Sequence, residues 1–127
     1  MGLITMKSLI YELAALANVP VLDQGGTSLI RYPHCRALVR ECERSSVLIL
    51  GIEGFTVRGN GISPDMDFIA DFSELSSIEW EVASRQSCLS AQIFFDQVPS
   101  DSPLAFSFEL TRQSHPTPDS PSQAPRG

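Results

Sequence analysis

Carboxylates are the side chains of this sequence best suited to chemistry, and most of them lie in one stretch. The acidic residues on and beside two apolar segments are Glu53, Asp65, Asp67, Asp71 and Glu74. Neighbouring carboxylates bind divalent cations, serve as acid and base, or attract a basic partner. Asp65 and Asp67 have calcium-loop spacing, but the glycine and the closing glutamate of such a loop are missing. We therefore predict no metal site and no cofactor.

Nucleophilic chemistry finds little support in the sequence. His34 and Cys35 are adjacent, and adjacent residues of a helix point in different directions, so they make a poor catalytic pair. No GxSxG, phosphate-loop or dinucleotide-binding motif occurs. Cys35, Cys42 and Cys88 form no CxxC pair and lack zinc-ligand spacing. We predict that the chain is not an enzyme and that its three cysteines are free and mostly buried.

The negative charge of the chain is concentrated in the region of these carboxylates. The 127 residues carry a formal net charge of −6. Residues 53 to 81 alone contain one arginine and seven acidic residues, which also gives −6. Such a field repels nucleic acid and favours a basic partner. We therefore predict no nucleic-acid partner. The alternative interpretation is that these carboxylates only keep the protein in solution.

Three helices are predicted from apolar residues that recur every three or four positions. The first covers residues 6 to 17 and ends before Asn18 and Pro20. The second begins near Pro33 and runs through Cys42, because proline is tolerated in a first helical turn. The third follows a serine cap at position 76 or 77. Its predicted buried stripe is Trp80, Ala83, Ser87, Ala91, Phe94 and Val98.

Alternating apolar residues predict the strands, and two of them form a hairpin that carries the acids. Residues 47 to 58 form the first strand, and the glycine-rich stretch 59 to 61 forms a tight turn. Residues 66 to 72 return as the second strand, with one apolar and one mostly acidic face. The apolar face consists of Met66, Phe68, Ala70 and Phe72. Residues 104 to 111 form a third half-buried strand, and residues 23 to 26 are predicted as a loop.

These elements predict one α+β domain over residues 1–112, a small and mainly antiparallel sheet packed by about three helices. Residues 113–127 contain four of the nine prolines and no large apolar residue, so we predict a disordered Pro/Ser-rich tail. No apolar run approaches the roughly 18 residues that cross a bilayer. The N-terminus has the spacing of an amphipathic helix, not of a signal peptide. We therefore expect a cytoplasmic protein without a membrane partner.

The stretch RALVRECERSSVLILGIEGFTVRGNGISPDMDFIADFS, residues 36 to 73, resembles small bacterial immunity proteins encoded beside polymorphic or contact-dependent toxins. In both, a strand like GIEGF leads into a hairpin that closes on an acidic segment like IADFS. The resemblance implies a cytoplasmic protein that binds and neutralises a cognate protein toxin, such as a nuclease with a basic active site. It transfers no catalytic residue.

Charge and resemblance together predict a partner-binding surface. Its residues are Glu53, Asp65, Asp67, Asp71 and Glu74. Opposed charges on two proteins speed their encounter, which suits an inhibitor of a cationic active site. The alternative from another class is a non-catalytic structural or adaptor module with an acidic, solubilising face.

Overall fold

The computed structural model describes residues 2–113, with side chains from residue 9 onward. Within this range it contains three α-helices and one five-stranded antiparallel sheet. The predicted α+β fold with a small sheet packed by helices is therefore confirmed. The predicted disordered tail lies outside the described residues, apart from Gln113.

The helices are α1, Gly2–Ala17, α2, Tyr32–Arg44, and α3, Trp80–Asp96. Pro33 lies in the first turn of α2, as predicted. A residue with left-handed backbone follows each of the first two helices, Asn18 (φ 59°) directly after α1 and Ser46 (φ 55°) two residues after α2. After each of these helices, the backbone N–H groups of the next two residues donate hydrogen bonds to carbonyl oxygens of the last helical turn. These bonds satisfy carbonyl groups that have no partner within the helix.

The start of α3 differs from the prediction. Its N-cap is Glu79, whose side-chain carboxylate accepts a hydrogen bond from the Val82 amide at 3.0 Å. The predicted cap at Ser76 or Ser77 is therefore wrong. Both serines belong to a short 3-10 helix, Ser73–Ser77, and their hydroxyls donate to carbonyl oxygens of that helix. A carboxylate makes the same cap and adds favourable charge at the helix N-terminus.

The strands are β1, Leu22–Gln24, β2, Thr27–Arg31, β3, Leu48–Arg58, β4, Gly61–Asp71, and β5, Ala105–Thr111. Their order in the sheet is β1-β2-β5-β3-β4. β1 and β2 form a hairpin where a loop was predicted. Its two-residue loop consists of Gly25 and Gly26, both with positive φ, which is the turn that joins short antiparallel strands.

A large bulge interrupts β4 at its middle. Glu53 of β3 pairs with Ile69, but the next residue, Gly54, pairs with Asp65, so residues 66 to 68 have no partner on β3. Extra residues in a strand break the alternation of its side chains. Met66 consequently exposes 74% of its surface, and its predicted place on the buried apolar face is wrong. β4 also begins at Gly61 and not at residue 66.

The main core lies between the helices and one face of the sheet. Phe95 of α3 and Phe106 of β5 are fully buried at its centre, with ring centroids 5.1 Å apart in an edge-to-face arrangement. Cys35, Cys42 and Cys88 are free and buried in the same core, as predicted. Because the main core covers one face of the sheet, only the opposite face remains for other contacts.

The opposite face of the sheet, here called the outer face, is partly covered by the β1–β2 hairpin. Leu29, Phe55 and Ala105 are buried there and form a small apolar cluster. Leu22, Val57 and Ile62 pack against this cluster. The side-chain amide of Gln24 donates to the carbonyl oxygen of Gly59 in the β3–β4 turn. The hairpin therefore crosses the outer face from the β5 side and is held at its tip by the β3–β4 turn.

Candidate functional site

A cleft lies between the β1–β2 hairpin and the outer face. The apolar cluster fills one end of the space under the hairpin, and the other end forms the cleft, with a volume of ≈ 430 Å³. Its walls are hairpin residues 26 to 28, β3 residues 51 to 53 and β5 residues 107 to 110, with Ile10 of α1. Five of the eleven wall residues are glycine, serine or threonine, whose small side chains leave the space open.

The cleft exists because β2 diverges from β5. Their ladder contains only two residue pairs, Ile30 with Phe106 and Arg31 with Ala105. β5 continues to Thr111, so residues 107 to 111 have no strand partner on the β2 side. Beside the cleft, the Ser28 hydroxyl donates to Asp23 at 2.8 Å within the hairpin, and the Tyr11 hydroxyl of α1 also donates to Asp23, which ties the hairpin to α1.

Three carboxylates surround Gly51 on the outer face. Gly51 pairs with Asp71 of β4 on one side and with Glu109 of β5 on the other. Strands are about 4.7–4.9 Å apart, so the backbones of these two acids are separated by roughly 9–10 Å. Glu53 lies two residues along β3, on the same face. Glu53, Asp71 and Glu109 are called the Gly51 patch below.

The charges of the Gly51 patch are not neutralised by ion pairs among the described residues. The three ion pairs of that part of the chain join Arg36 to Asp96, Arg44 to Glu41 and Arg112 to Glu12. Glu53 and Glu109 form no side-chain hydrogen bond within residues 9–113. Among residues 9–113, therefore, no cation pairs with the negative charge of the patch.

Asp71 is held in its ionised form by the residues that follow β4. Its Oδ1 accepts a hydrogen bond from the Ser73 amide at 2.9 Å. Hydrogen bonds from the side chain and the backbone of Ser73 favour the carboxylate and lower the pKa of Asp71. The negative charge at this corner of the patch therefore persists to lower pH than in a free aspartate.

The structure places the five predicted site residues at three positions. Glu53, half-buried, and Asp71, exposed, belong to the Gly51 patch. Asp65 and Asp67 lie at the β4 bulge, where Asp65 Oδ1 accepts a hydrogen bond from the Asp67 amide at 3.1 Å. Glu74 is exposed in the 3-10 helix. The prediction of a partner-binding surface at these residues stays a prediction.

Glu109 was missed by the sequence reasoning. The alternation along β5 places Glu109 opposite the buried Leu110 and Phe106, and hence on the outer face. What the sequence does not contain is the register that pairs Glu109 with Gly51 across β3. Only that pairing brings the acid of a distant strand beside Asp71 and Glu53.

The other potentially reactive groups, the three thiols, are buried inside the fold. Burial raises the pKa of the Cys88 thiol to about 12 and raises the pKa of Cys35 and Cys42 as well, so these thiols stay protonated. Among residues 9–113, no three His, Cys, Asp or Glu side chains are placed to hold a metal ion. The predictions of no metal site and no enzymatic activity stay predictions.

No helix in the described part of the chain is long and apolar enough to span a membrane.

Comparison with known proteins identifies no relative of this chain. No family model, no curated protein and no solved structure matches it. The resemblance to immunity proteins therefore stays a prediction, and the argument for function rests on the outer face.

Proposed function

We propose that this protein is an immunity protein that binds and neutralises a cognate bacterial toxin in the cytoplasm. The observation that supports the proposal is the Gly51 patch, a set of carboxylates on an exposed sheet face that no cation of the described chain neutralises. Like charges side by side on a sheet repel one another and add nothing to folding. A partner that brings positive charge removes this repulsion.

The charge of the rest of the hairpin supports the same kind of partner. Asp67 is exposed at the bulge, and Glu74 is exposed beyond the end of β4. An extended negative field raises the rate of association with a cationic surface and keeps nucleic acid away. A toxin whose active site is basic, as in a nuclease, is therefore inhibited when this surface covers it.

The test measures binding and neutralisation of the toxin encoded beside this gene. The variant Asp67→Lys/Asp71→Lys reverses one exposed acid of the bulge and one of the Gly51 patch. We expect it to weaken binding by well over tenfold, because close charge pairs at such interfaces are worth about 1.5–7 kcal/mol. Cells that express this variant should lose protection against the toxin, and the melting temperature should change little.

A matched variant controls for net charge. Glu43→Lys/Asp101→Lys changes the net charge by the same amount, and both of its residues are exposed outside the hairpin. We expect this variant to bind and protect as well as the wild type, apart from a small loss of long-range attraction at low salt. The proposal would be refuted if both variants bound the toxin as tightly as the wild type does. It would also be refuted if the protein neutralised no toxin encoded beside its gene.

A second candidate function is an adaptor module, and one observation favours it. Val82, Leu89 and Ile93 lie on the side of α3 that faces solvent and expose 49%, 55% and 52% of their surface. Apolar residues grouped on an exposed helix face mark contact surfaces in other proteins. An adaptor bound through α3 would be insensitive to reversal of Asp67 and Asp71 and sensitive to Leu89→Glu, which the same binding assay distinguishes.

A further inference from the structure

We propose that the cleft binds an extended segment of the partner, which pairs with the open side of β5 and places one lysine or arginine side chain between Glu53 and Glu109. This inference rests on the proposed function and names the part of the partner that the site takes. It follows from the backbone of β5, the shape of the cleft and the charges at its mouth.

The backbone of β5 offers pairing positions. β5 pairs with β3 along its length, but only Ala105 and Phe106 pair with β2 on the other side. In an antiparallel strand the N–H and C=O groups of successive residues point alternately to the two sides. Residues 107 to 110, which line the cleft, therefore direct backbone groups into it. An extended peptide supplies the complementary groups, as in other cases of strand addition.

The shape of the cleft suits a short extended segment. Its volume of ≈ 430 Å³ falls within the usual range of ligand pockets, about 300–1,000 Å³. Four residues of β5 extend over roughly 13 Å at 3.3 Å per residue, which matches a segment of three or four partner residues. Gly51 has no side chain, so the Glu109 carboxylate lies close over the β3 backbone, with its Oε1 3.7 Å from the place of a Cβ on Gly51.

The charges at the mouth of the cleft select the partner side chain. Glu53 and Glu109 come from adjacent strands, line the cleft together and have no partner among the described side chains. Arginine and lysine are long enough to reach them from a neighbouring backbone, and carboxylates bind their donors through charge-assisted hydrogen bonds. An acidic or purely apolar segment would bring no positive charge to pair with either carboxylate.

The other sheet edges are less suited to strand addition. The edge of β4 is interrupted by the bulge at residues 66 to 68 and carries Pro64, which lacks an N–H group. β1 contains three residues. Bulges, prolines and short strands all hinder the pairing of a further strand. The open side of β5 thus offers the longest run of uninterrupted strand.

The experiment uses the full chain labelled with 15N and a defined peptide mixture. The peptides are five residues long, with arginine fixed at the centre and the other positions randomised without proline. We expect the amide signals of residues 26 to 28 and 107 to 110 to shift on titration. The same mixture with citrulline at the centre keeps the shape without the charge, and we expect at least tenfold weaker binding.

Protein variants test the role of the two carboxylates. Glu53→Gln/Glu109→Gln should weaken binding of the arginine mixture at least tenfold, whereas Glu43→Gln/Asp101→Asn, with the same change of charge outside the cleft, should bind as the wild type does. The inference is overturned if the amides of residues 107 to 110 do not move, or if citrulline binds as well as arginine. It is also overturned if ending the chain at Gln113 moves the amide signals of residues 26 to 28 and 107 to 110 without any peptide, because the tail would then be the occupant.

Failure of this inference is distinguishable from failure of the proposed function. Neutralisation that responds to Asp67→Lys/Asp71→Lys but not to Glu53→Gln/Glu109→Gln leaves the immunity function standing and removes the cleft from it. Peptide binding that depends on Glu53 and Glu109, without any toxin neutralised, supports the cleft as a site for a basic segment and removes the immunity function.

Discussion

Replacing Gly54 with alanine tests the close packing that produces the β4 bulge. An added Cβ would lie 3.0 Å from Phe106 Cε2, 3.1 Å from Phe68 Cβ and 3.3 Å from the Phe68 carbonyl oxygen. Phe106 cannot move aside, because it is fully buried and packs edge-to-face against Phe95. Overpacking of this kind costs about 1–3 kcal/mol, and the lower chain entropy of alanine in the unfolded state returns about 0.4–1 kcal/mol.

We therefore expect Gly54→Ala to lower the free energy of unfolding by about 1–2 kcal/mol. In a domain of this size that corresponds to a fall in melting temperature of roughly 4–8 °C. Urea unfolding monitored by Trp80 fluorescence measures the change directly. We also expect the amides of residues 65 to 69 to shift, because the bulge must move away from the new methyl group.

Gly61 in the same hairpin provides the control. An alanine Cβ at Gly61 would meet nothing closer than the Arg58 carbonyl oxygen at 3.9 Å, and Gly61 has no positive φ. Gly61→Ala should therefore be as stable as the wild type or gain about 0.4–1 kcal/mol. Equal stability of Gly54→Ala and Gly61→Ala would refute the reasoning, because the crowding against Phe68 and Phe106 would then not exist in solution.

Three further predictions concern a buried hydroxyl, the thiols and a carboxylate. Ser87→Ala should cost about 1–3 kcal/mol in urea unfolding, because its buried hydroxyl accepts a hydrogen bond from a β3 amide at 3.0 Å, whereas Ser90→Ala should cost less than about 0.5 kcal/mol. Burial raises the pKa of Cys88 from 9.0 to about 12, which lowers its thiolate fraction at pH 8 about a thousandfold. A thiol reagent should therefore label Cys88 only after unfolding. Rapid labelling of Cys88 in the folded protein would contradict this prediction. Ser73→Ala should raise the pKa of Asp71, measured by NMR titration. Because that pKa is depressed in the folded state, its stabilisation is present above the ordinary value of 3.8 and is lost as the pH falls through the lower folded value. An unchanged pKa would exclude the Ser73 hydroxyl as a cause, since the Ser73 backbone N–H remains in the variant.

The elements with regular spacing were predictable from the sequence. α2 and β3 have long apolar patterns, and the structure places both within two residues of the prediction, whereas β4 begins five residues earlier than predicted. β1 was missed because a three-residue strand has no period to recognise, although the pair Gly25-Gly26 is a known hairpin signal. The place of Met66 was missed because a bulge depends on what packs beneath it, here Gly54 against Phe68.

The candidate site was predictable only in part. The acidic segment that contains Glu53 and Asp71 is visible as a local run of charge. Glu109 and the hairpin residues Thr27 and Ser28 join it through pairings between segments that are distant in the chain. Such pairings depend on the whole sheet, and local spacing along one strand does not contain them. The cleft itself is a consequence of the short β2–β5 ladder.

The division of the space under the hairpin has a consequence for how this protein can diversify. At one end, Leu29, Phe55 and Ala105 hold the hairpin to the sheet, and at the other end the hairpin and the outer face line the cleft with polar side chains and glycine above a buried apolar base. Substitutions at exposed positions usually change stability by less than about 0.5 kcal/mol. Thr27, Glu53 and Ser107 are half-buried and Glu109 is exposed, so substitutions there disturb the scaffold less than substitutions at the apolar end. A change in the shape or charge of the cleft therefore does not require a new fold.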